Sequence, residues 1–278
     1  TQSYTGAVDL GTNSSLTATD VTFSSTVALG ANNLDVSVTG TASQANGVIS
    51  GTGAFTKDGA GTFTFAADNT YSGNSTITAG TLQVGTNGTA GDLEGNVTNN
   101  GSLVFARSDN YSFEGDISGS GSVQQTGDGA INGNFAGEQL TLSGTNTYTG
   151  NTIVDEATEV VAPNNSSFGT GTITLGGSDS CVILGAEGLN IANPLETITP
   201  SGDVARLHIE LGAAFTAGTY SGAITINTPN SFDFQLRPQT GTLTVSGVVD
   251  GVGSITHQDS GTVVLTAANT YTGQTYIA

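Results

Sequence analysis

Residues 51–77 recur without a gap as residues 251–277. The two segments read GTGAFTKDGAGTFTFAADNTYSGNSTI and GVGSITHQDSGTVVLTAANTYTGQTYI. Both contain Gly-x-Gly, an apolar fifth residue, alternating apolar residues, the sequence Asn-Thr-Tyr-Ser/Thr-Gly and a closing Ile. One such unit cannot bury its apolar face alone, so it has to stack on neighbouring units. This repeat therefore constrains the fold more than any other feature of the chain.

A third copy begins at Gly119 and closes with NTYTGNTI, which ends at Ile153. Its first glycine and its tyrosine lie further apart than in the other copies. This spacing indicates an insertion of about nine residues before Leu140. The repeat units accordingly lie near residues 51–85, 119–153 and 251–278.

Each unit combines a strand with a turn. Its apolar residues alternate with threonine, which is typical of a strand with one buried face. The pattern points the following side chains inward: Phe63, Phe65, Leu140, Leu142, Val263 and Leu265. The segment Asn-Thr-Tyr-Ser/Thr-Gly has the composition of a turn. Glycine at these corners supplies a positive φ or space where no Cβ fits.

The turn residues are the candidate site residues, and their role is structural. They are Tyr71, Gly73, Tyr148, Gly150, Tyr271 and Gly273. Because the flanking sequences match without a gap, we expect the three tyrosines to occupy equivalent corners of the coil. We also expect each ring to cover its turn while its hydroxyl remains in water.

These units predict an all-β chain, namely a single-stranded parallel β-helix, or solenoid. Residues 1–278 are interpreted as one continuous segment of 11 to 14 turns, each of about 20–25 residues. All five prolines lie between residues 163 and 238. Since proline avoids interior ladder positions, we expect longer loops around residues 155–240. The Tyr220-Ser221-Gly222 segment indicates that the solenoid continues beneath them.

The run from Gly59 to Gly85 resembles the passenger-associated repeat of bacterial autotransporters and related giant surface proteins. It reads GAGTFTFAADNTYSGNSTITAGTLQVG. The resemblance extends over the three repeat units, about a third of the chain. It implies a right-handed parallel β-helix that is exported and displayed outside the cell.

The chain carries 4 basic and 23 acidic side chains, a formal net charge of −19. With no basic stripe to neutralise phosphates, we expect no nucleic-acid partner. No apolar run approaches 18 residues, so this segment is not expected to insert into a membrane. We expect the acidic side chains to serve solubility, the alternative being weak binding of divalent cations. Because the sequence contains no known calcium-binding loop motif, any cation sites would be improvised. No other cofactor is expected.

Catalysis is not expected, although many β-helices act on polysaccharides. A lyase needs a base and a cation, and only four side chains supply positive charge: Lys57, Arg107, Arg206 and Arg237. His208 and His257 are distant in sequence, and neither has a nearby His or Cys, so a zinc site is not predicted. Cys181 is interpreted as a buried strand thiol, the alternative being an intermolecular disulfide.

The sequence thus favours an extracellular structural solenoid of a bacterial surface or secreted protein: a stalk, fibre or matrix element, with adhesion as a further role. The alternative is a β-helix that binds or cleaves carbohydrate, with its site in the loops of residues 155–240. Residues 1–6 and 270–278 both lie inside the tyrosine-turn motif. We therefore expect further solenoid repeats, or copies of this chain, to stack end to end. Host-surface or matrix glycans and proteins are further partners to consider.

Overall fold

The computed structural model describes residues 1–41, 43–127, 138–177, 179–198, 206–228 and 233–278. Within these residues it contains β-strands and no helix, as the sequence predicts. It accordingly contains no helix long and apolar enough to cross a membrane.

The strands are short because each turn of the chain crosses three sides in about 20 residues. The first seventeen are β1 (Gln2–Tyr4), β2 (Val8–Asp9), β3 (Ser14–Ala18), β4 (Val21–Phe23), β5 (Val27–Ala28), β6 (Leu34–Val38), β7 (Ser43–Ala45), β8 (Ile49–Gly51), β9 (Phe55–Asp58), β10 (Thr62–Phe65), β11 (Thr70–Tyr71), β12 (Ser75–Ile77), β13 (Thr81–Gly88), β14 (Val97–Asn99), β15 (Ser102–Arg107), β16 (Tyr111–Phe113) and β17 (Ile117–Ser118). The others are β18 (Ser122–Thr126), β19 (Glu138–Leu142), β20 (Thr152–Asp155), β21 (Thr158–Ala162), β22 (Ile173–Gly176), β23 (Cys181–Leu184), β24 (Asn190–Ile191), β25 (Leu195–Ile198), β26 (Arg206–Leu211), β27 (Ala217–Tyr220), β28 (Ile224–Ile226), β29 (Asp233–Pro238), β30 (Thr242–Val245), β31 (Val249–Gly251), β32 (Ser254–His257), β33 (Thr262–Leu265) and β34 (Thr275–Ile277).

The strands form five sheets in which every pairing is parallel. Sheet 1 has twelve strands, in the order β1-β4-β7-β10-β13-β15-β18-β20-β22-β25-β28-β31. Sheet 2 contains β2, β5, β8 and β11; sheet 3 contains β3, β6, β9, β12, β14 and β17. Sheet 4 contains β16, β19, β21, β23, β26, β29, β32 and β34; sheet 5 contains β24, β27, β30 and β33.

The chain visits these sheets in a fixed rotation, which makes it a solenoid with three faces. It passes through sheets 1, 2 and 3 in the first turns and through sheets 1, 4 and 5 in the last ones. Sheet 1 is therefore the first face, sheets 2 and 4 the second, and sheets 3 and 5 the third. Twelve strands at about 4.8 Å spacing give sheet 1 a length of about 53 Å.

Alternation places one side of each strand inside the coil. In β6, Leu34, Val36 and Val38 are buried while Asp35 is exposed. Aromatic rings dominate the interior of the early turns: Phe63 packs edge-on against Phe65, with ring centroids 5.9 Å apart. These stacked interior columns and the hydrogen-bond ladders hold one turn on the next.

Most turns begin about 20 residues apart along sheet 1, but three are longer. They run from Ser122 to Thr152, from Leu195 to Ile224 and from Ile224 to Val249. In all three, the extra length lies between a strand of sheet 1 and the next strand of sheet 4. The expectation of longer loops in residues 155–240 is thus met by two of them. The insertion predicted before Leu140 falls on residues 128–137, which lie outside the described ones.

Candidate functional site

In each repeat unit, the corner that carries the tyrosine is built from two stacked segments, which belong to consecutive turns of the solenoid. The Gly-x-Gly segment lies below, and the Asn-Thr-Tyr-Ser/Thr-Gly segment lies on it. In the first copy Tyr71 pairs in register with Gly51. The equivalent backbone hydrogen bonds are donated by Ser72 to Gly51, by Thr149 to Gly119 and by Thr272 to Gly251. The repeat therefore encodes contact between two successive turns.

Both glycine positions of the stack lie against the backbone of the turn below them, and the lower position also needs a positive φ. The lower glycines have φ values of 119° at Gly51, 102° at Gly119 and 102° at Gly251. A Cβ on Gly51 would be 2.6 Å from the carbonyl oxygen of Gly30, and the upper glycines are similarly close to their neighbours. A Cβ on Gly73 would be 2.2 Å from the carbonyl oxygen of Gly53, and Gly150 and Gly273 meet Gly121 and Gly253 in the same way. A side chain at either position would separate the turns.

The hydroxyls of Tyr71 and Tyr148 are not in water, which corrects the expectation from sequence for these two tyrosines. Tyr71 and Tyr148 are fully buried. The Tyr71 hydroxyl is 2.6 Å from that of Ser75, and the Tyr148 hydroxyl is 2.5 Å from that of Thr152. Burial raises the pKa of both phenols. The hydroxyl four residues later satisfies each tyrosine and permits its burial.

Tyr271 makes the same local contact, with Thr275 at 2.5 Å, but it is only partly buried. It lies against β31, the last strand of sheet 1. Among the described residues no strand of sheet 1 lies beyond Tyr271, so its ring makes the local hydrogen bond but is packed on one side only.

The asparagine of the turn joins three successive turns, a role the sequence did not reveal. The Oδ1 atom of Asn69 accepts the backbone N–H of Ile49 at 2.9 Å, and its amide donates to the carbonyl of Asp92 at 2.9 Å. Asn146 does the same between Ile117 and Ser167. These amides replace ladder hydrogen bonds at the corner, where the strands are interrupted.

The three tyrosines lie on three different faces, so the prediction of equivalent corners is wrong. Tyr71 belongs to sheet 2. Tyr148 lies next to β17 of sheet 3, and Tyr271 lies on β31 of sheet 1. Each copy starts one face further round the coil because the copies are not separated by a whole number of turns.

The closing position of the copy at residues 119–153 also needs correction. Val154 is fully buried, whereas the side chain of Ile153 is half-buried. Counted from the tyrosine, Val154 is the equivalent of Ile77. The matching isoleucine letters are therefore out of register by one residue.

The other inward predictions are confirmed for the interior turns. Phe63, Phe65, Leu140 and Leu142 are buried. Val263 and Leu265 pack on the core but are only partly buried. They lie in β33, the last strand of sheet 5, where one side of each side chain is uncovered.

Lys57 occupies an interior column of sheet 3, between Val36 and Ile77. It is fully buried, and its Nζ donates to the carbonyls of Asp58 and Gly59, both at 2.7 Å. Burial lowers the pKa of this lysine to about 8. Lys57 therefore binds backbone carbonyls at a corner inside the coil. It is one of the four cations that a catalytic site could have used, and its role here is structural.

Arg107 is also held in a structural clamp. Its Nε donates to Asp109 at 2.9 Å, and its guanidinium lies 4.7 Å from the centre of the Tyr111 ring. The same group donates to the carbonyls of Thr89 and Gly91. It thus fastens the segment that follows β13.

A polar cluster occupies the outer side of sheet 4. In-register pairing places Glu159, Cys181 and His208 in one row across β21, β23 and β26, while Glu210 and Arg237 are paired in the adjacent row. All five are buried. We call these five residues the outer cluster. Cys181 is a free buried thiol, as predicted.

Two glutamine amides and a third acid, Asp259, surround the outer cluster. Gln139 donates to Glu159 at 2.7 Å, and Gln239 donates to Glu210 at 2.6 Å. Arg237 bonds Asp259 at 3.1 Å, with Glu210 at 3.9 Å. Both carboxylates therefore lie in a hydrogen-bonded, largely dry environment.

Burial dominates the acid–base properties of the outer cluster. It raises the pKa of Glu159 to about 7. It also raises the pKa of Glu210 and, together with the two neighbouring carboxylates, that of the Cys181 thiol. Burial therefore opposes the ionisation of all three groups.

The structure corrects the view that no histidine has a cysteine partner. Cys181 and His208 are paired across adjacent strands although they are far apart in sequence. The ligand atoms of Cys181, His208 and Glu210 lie within 4.8 Å of one another. His257 lies on β32, in another column. The side chain of Arg206 lies outside those described.

Comparison with known proteins agrees with the repeat seen in the sequence. The passenger-associated-transport-repeat family matches residues 55–84, 137–158 and 255–278. Comparisons with curated proteins and with solved structures gave no match. The chain is therefore a parallel β-solenoid that contains three passenger-associated-transport-repeats and resembles the passenger domains of autotransporters.

Proposed function

We propose that this chain is a rigid structural segment of an extracellular bacterial protein, acting as a stalk or fibre element. The observation that carries the proposal is the twelve-stranded parallel ladder of sheet 1, which extends from β1 to β31. The passenger-type repeat supports a location at the cell surface or in the secreted fraction.

Stiffness follows from the way in which successive turns are joined. Backbone ladders connect the turns on each face, and buried amides such as those of Asn69 and Asn146 continue the bonding at corners. Bending the rod would open ladder bonds on one side and compress packed side chains on the other. A spacer that keeps another module away from the cell needs this property.

The outer surface supports a role without catalysis. The carbohydrate alternative needs Arg206 or Arg237 as the cation that anchors an acidic sugar, and Arg237 is buried and bonded to Asp259. The side chain of Arg206 lies outside those described. Strands such as β3 and β6 present Ser, Thr and Asp outward. Adhesion through this surface, to glycans or proteins of a host or matrix, is a finer form of the same proposal.

Shortening the rod by whole turns tests the proposal. Removal of residues 2–80 deletes four turns and joins Thr1 to Thr81, where the next sheet 1 strand begins. In the full polypeptide we expect export to continue and the rod to shorten by about 19 Å in electron micrographs. Removal of residues 2–70, which ends within sheet 2, is the matched control and should disrupt folding.

Two results would contradict the spacer proposal. One is the turnover of a polysaccharide by the purified chain. The other is specific glycan binding that the four-turn deletion abolishes while the remaining rod stays folded. Either would assign the surface a chemical role that length alone does not explain.

A further inference from the structure

The outer cluster brings together the donor atoms of a transition-metal site. Cys181 lies on β23, and His208 and Glu210 lie on the adjacent strand β26. A strand presents residues i and i+2 on the same side. His208 and Glu210 therefore face outward together, next to the outward thiol of the strand beside them.

The distances suit a metal after a small adjustment. The thiol, imidazole and carboxylate atoms lie within 4.8 Å of one another. Ligands of a tetrahedral Zn²⁺ at 2.0–2.3 Å from the ion are about 3.5 Å apart. Rotamer changes of about 1 Å would close this gap without moving the ladder. Glu159, paired in register with Cys181 from the strand on its other side, lies beside the site.

Donor chemistry selects the class of metal. Thiolate and imidazole are ligands of Zn²⁺ and related ions, whereas Ca²⁺ and Mg²⁺ prefer oxygen atoms alone. The position is also dry: Cys181 and His208 are fully buried, and Glu159 and Glu210 are nearly so. Because all three ligands are buried, a substrate could not reach the ion from solvent, which favours a structural role over a catalytic one.

Charge supports the same conclusion. Two carboxylates and an ionisable thiol lie close together, while the nearby Arg237 makes its shorter contact with Asp259. A divalent cation would balance the negative charge of these groups, with His208 bound as the neutral imidazole.

We propose that Cys181, His208 and Glu210 bind a Zn²⁺ ion, with Glu159 next to it, and that the ion fastens two neighbouring turns of sheet 4. The site is a staple on the outer side of the solenoid. It is independent of whether the rod acts as a stalk or as an adhesin.

Cobalt substitution tests the proposal directly, because a Co²⁺–thiolate bond gives a charge-transfer band that carboxylates do not. The complete chain is stripped with a chelator, and Co²⁺ or Zn²⁺ is then added to the folded protein and, separately, during refolding. Both routes are needed because the ligands are buried. We expect one equivalent of metal to remain after desalting, a charge-transfer band with Co²⁺, and a rise in melting temperature of about 5 °C with Zn²⁺.

Variants identify the ligands. Cys181→Ser should abolish the charge-transfer band and the thermal shift, and Glu210→Gln should weaken retention of the metal at least tenfold. His257→Gln, which changes a histidine outside the cluster, should leave both signals intact. If Cys181→Ser does not fold, the wild-type spectrum still decides. A folded wild-type chain without the charge-transfer band under either loading route overturns the proposal, as does metal retention unchanged in Cys181→Ser.

Discussion

The early turns and the sheet 4 region share one interior but have different exteriors. In β6 the outward side chain of Asp35 is exposed, between the buried Leu34 and Val36. In β23 all four residues from Cys181 to Leu184 are buried. Outward positions of sheet 4 thus have interior-like surroundings, which the corresponding positions of sheet 3 lack.

This difference shows which part of a turn the fold requires. Stacking needs an apolar inner side and corner residues that allow close contact, and both regions provide these. The outer side is not constrained by stacking. Sheet 4 carries buried acids, a thiol and an arginine there, whereas the outward positions of sheets 2 and 3 carry mostly Ser, Thr and Asp.

The largest expected effect comes from placing a charge inside the coil. Phe65→Asp would bury an unpaired carboxylate among aromatic rings. We expect a loss of about 4–5 kcal/mol or complete unfolding, measured by thermal and denaturant unfolding. Thr98→Asp, at an exposed outward position of β14, is the control and should be nearly neutral. A Phe65→Asp protein that melts within a few degrees of wild type would show that the register is wrong.

The same substitution on the outer side of sheet 4 separates the two regions. Ile183 faces outward, yet it is only 9% exposed and pairs with Glu210. Ile183→Asp should therefore cost about 2–4 kcal/mol, because the new carboxylate would be buried beside another acid. Equal stability of Ile183→Asp and Thr98→Asp would show that the outer sides of the two regions do not differ.

A third test addresses the corners, which we expect to be equivalent in both regions. Gly73→Ala and Gly150→Ala each place a Cβ within 2.3 Å of a carbonyl oxygen in the turn below. Each should cost about 1–3 kcal/mol through overpacking. Gly11→Ala is the control, since a Cβ there meets no atom within 4 Å. Strongly unequal costs at the two corners would limit the stacking rule to one region.

A smaller effect is expected from the tyrosine hydroxyls. Tyr71→Phe and Tyr148→Phe each leave a buried Ser or Thr hydroxyl without its tyrosine partner. Each should lose about 1–2 kcal/mol, and the two losses should agree although the tyrosines lie on different faces. Tyr271→Phe should lose less, because its hydrogen bond is exposed. A loss at Tyr271 as large as at Tyr71 would contradict this assignment.

The sequence predicted the stacked unit but not its placement around the coil. Alternation identified Phe63 and Phe65 as inward, and the shared text identified the tyrosine turns. The face of each turn depends on the exact number of residues between copies, including insertions. Sequence identity between the copies does not carry that information. It also aligned Ile153 with Ile77, although the residue equivalent to Ile77 is Val154.

The outer cluster was hidden for a related reason. Cys181 and His208 become neighbours only through the register of β23 on β26. A spacing motif cannot reveal a pair that is separated by a whole turn of variable length. An alignment of the turns by their inward residues would match Val182 with Ile209. It would then also match the preceding residues, Cys181 and His208.

The last prediction concerns Lys57, a polar residue inside the early turns. Alternation from Phe55 places it inward, although lysine is seldom fully buried. The fold lowers its pKa from 10.5 to about 8. The protonated amine is therefore less favourable in the folded state than in the unfolded chain, and the penalty is complete below pH 8. It decreases as the pH rises from about 8 to 10.5.

Compared with Lys57→Met, wild-type stability should increase across this window, as measured by denaturant unfolding at a series of pH values. The difference between the two proteins removes the contribution of tyrosine ionisation, which both share. A difference that is constant from pH 7 to 10.5 would mean that Lys57 is not desolvated, and that the interior of the early turns admits water at this corner.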